Sequence, residues 1–292
     1  MNPIPQYPTE QAIRLSRSVE EIVTGRATAD GAGVKLTRVF GQSLHRRLDP
    51  FLMFDAFKSD SPQDYIAGFP AHPHRGFETI TYMLAGRMRH QDSVGNEGLL
   101  ESGGMQWMLA GRGVIHSEMP EQDQGLLEGF QLWLNLPASE KLTSPDYQDF
   151  SASQIPEFRT KTGVRVRVLM GASHGVLGAV QRPVTMPLYL DIRLPSGASH
   201  AEVLPVDHHA AIYVYRGGLR VGGAELVAGQ LAILCQSTEA DGVILEAQQE
   251  SGALLIAGHP LHEPIAQNGP FVMNTLDQIK QAIADYQAGR LA

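Results

Sequence analysis

The chain has one cysteine, Cys235, in 292 residues, which excludes an intramolecular disulfide and suits a reducing compartment. Cys235 closes the apolar run Leu231 to Leu234, so burial is expected of it rather than reactivity. No stretch is long and apolar enough to span a bilayer, and the N-terminal segment lacks the basic-then-apolar layout of a signal peptide. A cytoplasmic location is therefore expected. Lysine and arginine are outnumbered 23 to 31 by acidic residues and form no cluster, which argues against phosphate-driven nucleic-acid binding. The motif of a nucleotide-binding glycine loop is missing, and so is that of a nucleophile-elbow serine.

What the chain does contain is short apolar runs punctuated by Gly, Pro, Asn and Asp, with 43% hydrophobic residues to build cores. Thr79 to Leu84, Gln131 to Leu136, Val164 to Leu169, Leu188 to Leu194, Ala211 to Tyr215 and Gly252 to Ala257 read as strands, so the class is all-β. Near the end, Thr275 and Gln278 have capping-box spacing. Ile279, Ala282, Ile283 and Tyr286 form a helical stripe, and Gly289 can end it, predicting one C-terminal helix. The polar, proline-bearing stretch Pro137 to Pro156 suits an interdomain connection. Two domains are expected, at residues 1–145 and 146–292. An internal echo supports them, since YMLAGRMR at Tyr82 to Arg89 aligns without gaps to YVYRGGLR at Tyr213 to Arg220. In that register Val203 and Pro205 stand opposite His72 and His74, which suggests a duplication that lost one site.

The chemistry concentrates in two short motifs. Residues two apart on a strand share a face, so His72 and His74 in HPH can meet one ion, and His116 and Glu118 in HSE repeat the arrangement. A lone HxH is more often surface or packing; the second pair is what turns the reading towards metal. Three imidazoles and a carboxylate suit a divalent ion such as iron and, in octahedral coordination, leave two positions for water, dioxygen or a chelating substrate. Glu78 has the same parity as the HPH histidines and could replace Glu118, orient a ligand histidine, or pair with Arg75. His90 is a candidate for orienting a ligand from behind it or for lining the pocket. His208 and His209 read as structural or exposed, and His259 and His262 as surface residues. His45, His174 and His200 carry no visible motif. Trp107 and Trp133 are expected in the core.

Five segments resemble the pirin family of the cupin superfamily. They are LDPFLMFDAF (Leu48 to Phe57), HPHRGFETITY (His72 to Tyr82), GGMQWMLAGRGVIHSEMP (Gly103 to Pro120), GFQLWLNLP (Gly129 to Pro137) and PFVMNT (Pro270 to Thr275). The resemblance implies a bicupin, two jelly-roll-like β-barrels, with Fe(2+) or another divalent metal in the first and none in the second. It implies His72, His74, His116 and Glu118 as metal ligands, with Glu78 outside the ligand set. It further implies a quercetin 2,3-dioxygenase-like oxidoreductase that opens a flavonol with dioxygen and releases carbon monoxide, with Glu118 as the base. The alternative it carries is an iron-binding regulatory protein that acts through a protein partner. A substrate-sized open pocket would favour the first, and a large exposed apolar patch the second.

Overall fold

The computed structural model describes residues 13–292. They are antiparallel strands with one α-helix, Leu276–Gln287, and two short 3-10 turns. All six expected runs fall on strands, because their β-branched and aromatic residues pack well on a pleated surface.

Two compact units emerge, one of Arg26–Ser153 with Leu261–Ala292, the other of the chain up to Gly25 with Gln154–Pro260. The sequence division at 145 and 146 thus differs from the compact units at both chain ends. Each terminal segment joins the unit built mainly from the other half of the sequence. Val19–Thr24 pairs antiparallel with Gln230–Leu234, and the C-terminal helix packs Ile279 and Ala282 with Phe271 and Met273, against Ile115. Free strand edges and apolar stripes are satisfied wherever a partner lies, not where sequence proximity suggests.

The units repeat one topology. In the first, a seven-stranded sheet runs Asp146–Phe150, Met105–Leu109, Phe77–Ala85, Leu127–Asn135, Phe51–Ser59, Val34–Phe40, Arg26–Asp30; the second has Val19–Thr24, Gln230–Leu234, His209–Arg216, Ser251–Gly258, Leu188–Leu194, Arg165–Met170, Glu157–Arg159. Each unit adds a four-stranded sheet. Phe69–His74, Val114–Pro120, Met88–Asp92, Glu97–Leu100 in one correspond to Ser199–Val203, Gly242–Ala247, Gly218–Val221, Ala224–Val227 in the other. The gapless echo lands at the end of the corresponding strand, Ser199–Val203, with Val203 its last residue and Pro205 just beyond it.

The interiors differ. One continuous apolar cluster, including Val166, Ile192, Ile212, Leu245 and Leu255, fills much of the second unit. In the first, apolar residues divide into separate clusters because His74, Glu78, Thr81, His90, Gln106, His116 and Glu118 are buried among them. Cys235 is half-buried, more open than expected. The C-terminal helix follows its sequence signals: Thr275 accepts from the Gln278 amide, the Gln278 side chain returns to the Thr275 amide, and Gly289 adopts φ 67° just beyond the end.

The stretch Pro137 to Pro156 is more than a connection. Asp146–Phe150 is an edge strand, and Lys141, only 1% exposed, donates to the Gly76 carbonyl at 2.8 Å, Asn135 Oδ1 at 2.8 Å and the Val272 carbonyl at 3.0 Å. Burial pushes the ammonium down to about 7, opposed by Glu263, while the three acceptors engage all its protons. Gly76 sits at φ 88° where a Cβ would strike the Val272 carbonyl, so this lysine ties the HPH turn to the C-terminal segment. Lys141→Met leaves those acceptors unsatisfied and should destabilise the first unit by roughly 2–4 kcal/mol. Both tryptophans lie in that unit, so urea unfolding followed by tryptophan fluorescence reads it directly. An unchanged midpoint would show the knot to be energetically idle.

Candidate metal centre

The centre is built by two paired antiparallel strands. His116 of Val114–Pro120 stands opposite His72, Val114 stands opposite His74, and the register shifts between His116 and Glu118. Alternation turns His72, His74 and His116 to one face, and the irregularity re-aims the strand beside them. The ring centroids lie 4.7 Å (His72, His74), 4.4 Å (His72, His116) and 4.8 Å (His74, His116) apart. Their ligating nitrogens all fall within 4.8 Å of one another, as donors around a shared ion would.

The hydrogen bonds around the cluster select which nitrogen is free. His72 Nδ1 donates to the Pro70 carbonyl at 2.8 Å, leaving a lone pair on Nε2, which lies 3.1 Å from His74 Nε2. His90 bridges Asp92, Oδ2 at 3.3 Å from its Nε2, to His116, whose Nδ1 is 3.4 Å from His90 Nδ1. Burial pushes the Asp92 carboxyl up, but bonds from Asn96, His90 and Val94 outweigh it and hold it below the ordinary range. The anionic Asp92 accepts a hydrogen bond from His90 Nε2–H, His90 Nδ1 accepts from His116 Nδ1–H, and the lone pair of His116 falls on Nε2. That atom is buried and has no protein partner. Burial, reinforced by the neighbouring imidazoles, holds His74 and His116 well below their usual pKa, so both lone pairs are unprotonated near neutrality.

Glu118 faces the same space, with Thr81 Oγ1 donating to Oε1 at 3.0 Å and Gln131 Nε2 to Oε2 at 3.5 Å. Its oxygens lie outside the mutual 4.8 Å cluster, which comprises the three histidines. Glu78 instead accepts from Trp107 Nε1 at 2.6 Å inside the sheet, and Arg75 pairs with Asp285 at 2.8 Å. His72, His74, Glu118, Gln131 and Trp133 line a cavity of about 650 Å³ walled by Leu52, Met53, Phe57 and Phe69. Trp133 packs on Phe77 with centroids 4.2 Å apart, and its indole nitrogen is buried without a partner, so it serves core and cavity together.

Sequence reading missed Asp92, Thr81 and Gln131. Asp92 had a usable signal, since His90 and Asp92 are two apart on the strand Met88–Asp92, but the other two reach the site only through sheet pairing. His208 and His209 are buried, which fits the structural rather than the exposed reading, and His45, His174 and His200, which carry no motif in the sequence, are buried as well.

Comparison with known proteins gives a consistent picture. The profile described as "Pirin" matches residues 33–134, and "Pirin C-terminal cupin domain" matches residues 189–292. A Pseudomonas aeruginosa protein bearing a provisional quercetin 2,3-dioxygenase name is 51% identical over 94% of this chain and 98% of its own. Human pirin is 40% identical over 93% of each chain. A crystal structure of quercetin 2,3-dioxygenase from Acinetobacter baumannii superposes with a TM-score of 0.89 at 33% identity, covering 95% of this chain and 99% of that one.

The imidazole relay has a measurable consequence. His90→Leu removes the acceptor that holds His116 in one tautomer and should weaken divalent-metal binding roughly 10–100-fold in chelator competition. His90→Gln keeps an acceptor and should recover part of the loss. Equal affinity in all three proteins would show that His90 serves packing alone.

Proposed function

The chain belongs to the pirin family, and from that premise we propose that it is an iron-dependent dioxygenase that opens a flavonol such as quercetin with dioxygen and releases carbon monoxide. The observation that carries the reading is the three-histidine cluster, two of whose members, His72 and His74, border a cavity of about 650 Å³, a size suited to one small aromatic molecule. A pocket of this kind favours catalysis over action solely through a protein partner.

The donor set fits a divalent ion. His116 Nε2 is buried and unpartnered, His72 Nε2 is the ring nitrogen left free by the Pro70 bond, and His74 Nε2 faces it at 3.1 Å, a close approach that a shared cation would bridge. In this reading His72, His74, His116 and Glu118 hold the ion, and the mixture of imidazole with carboxylate suits iron. When bound, the metal would act as a Lewis acid that lowers the pKa of a coordinated substrate hydroxyl and brings dioxygen beside it.

The chain's own residues supply the rest. Glu118 takes the flavonol hydroxyl proton, and Thr81 and Gln131 hold its two oxygens so that the carboxylate is aimed before substrate arrives. Leu52, Met53, Phe57, Phe69 and Trp133 receive the aromatic rings and displace water from the reacting face. Positioning converts a collision between an oxidisable anion and dioxygen into a local encounter.

The test is carbon monoxide release by anaerobically purified, iron-loaded protein, with metal content measured on the same sample. Release should scale with loaded protein and vanish in His74→Ala; Glu118→Gln should lower metal occupancy or turnover strongly, and Glu78→Gln should retain metal. A folded, fully loaded chain that releases no carbon monoxide across a flavonol panel sinks the dioxygenase reading and leaves the partner-binding one.

A further inference from the structure

The second unit buries another cluster of ligating side chains, His174, His200 and Glu202, 7%, 3% and 1% exposed, whose donor atoms lie within 4.8 Å of one another. We propose that it is a second divalent-metal site, of the two-histidine, one-carboxylate type, in the C-terminal barrel. It goes beyond the reading of the first site and does not depend on it.

Its placement follows from the repeated topology. His200 and Glu202 lie on Ser199–Val203, which holds in its four-stranded sheet the position that the HPH strand holds in the first. The burial pattern alternates, Ser199 and Val203 exposed, His200 and Glu202 buried, so the two donors share the inward face as His72 and His74 do. The partner strand Gly242–Ala247 has no histidine to match His116. The third donor comes from a hairpin joining Ala172–Ser173 to Val176–Leu177, whose two-residue turn His174-Gly175 has φ 51° and 79°. Turns with both central residues at positive φ favour Asn-Gly or Asp-Gly, so an imidazole at the first position is an unusual choice that points a ligand at Glu202.

The local geometry is that of a crowded acceptor. Glu202 Oε2 lies 2.7 Å from Ser173 Oγ, 3.1 Å from His200 Nε2 and 3.5 Å from His174 Nδ1, and Ser173 Oγ lies 2.9 Å from the same His174 nitrogen. Two imidazoles converging on one buried carboxylate oxygen form a pocket that a small cation can occupy in place of the bridging protons. Glu202 also lines a cavity of about 880 Å³, shared with His208, whose two ring nitrogens are buried without partners. Of the three donors Glu202 alone borders that cavity, so an ion would reach the site from the carboxylate side. Two imidazoles and one carboxylate suit zinc and ferrous iron in particular.

The test uses the full chain, with zinc in crystals and cobalt(II) in solution. Anomalous diffraction from zinc-loaded crystals, recorded on both sides of the zinc edge, should show a peak among His174, His200 and Glu202, separate from any peak at His72, His74 and His116. In solution, a His116→Ala chain should still bind about one equivalent of cobalt(II) with a ligand-field absorption band. Adding Glu202→Gln, which keeps a hydrogen-bonding group but removes the charge, should cut that affinity at least tenfold without changing the circular dichroism. The proposal falls if the zinc map is flat at the second cluster, or if the cobalt signal is indifferent to Glu202. Failure of the first site leaves a peak here alone, so the two readings are separable.

Discussion

Everything at the first centre depends on the pairing of Phe69–His74 with Val114–Pro120, because that ladder sets three imidazoles face to face, with His74 and His116 buried. A buried nitrogen without a partner costs about 1–3 kcal/mol. The sheet bears that cost through its backbone bonds, and through Lys141 and Gly76, which tie the turn after His74 to the segment around Val272. On the proposed reading a cation entering the cluster would recover that cost, which packing alone would not.

The ordering of the lone pairs rests on neighbours that are not themselves ligands. Pro70 fixes His72, and Asp92 acts through His90 on His116, so each nitrogen left pointing inward is the one whose ring partner is already engaged. Glu118 is likewise held by Thr81 and Gln131, from two different strands of the seven-stranded sheet. The site is therefore shared between both sheets of its barrel, the histidines from the smaller and the residues that steer Glu118 from the larger.

The two halves show how one topology serves two interiors. Corresponding strands match one for one in both sheets, yet one unit accommodates a polar centre among divided apolar clusters and the other a nearly continuous apolar core. The second keeps a smaller polar island at the strand equivalent to HPH, assembled with a hairpin the first does not use.

Much of this was legible in the chain itself. Alternation and turn residues are local, so the strands, the capping box at Thr275 and the pairing of His72 with His74 and of His116 with Glu118 could be read directly. Spacing of two on a strand decides which side chains share a face, and no tertiary information is needed for it. It could not decide between Glu78 and Glu118 as neighbours of the cavity, because parity says nothing of which face meets a partner; Trp107 engages Glu78, while Glu118 opens to the cavity. Nor could it show that Val19–Thr24 and the C-terminal helix complete the opposite halves, or that His174 meets His200 and Glu202. Those contacts join residues far apart in sequence, and what selects them is the burial of edges and apolar stripes in the folded chain, a property of the whole sheet arrangement rather than of any segment.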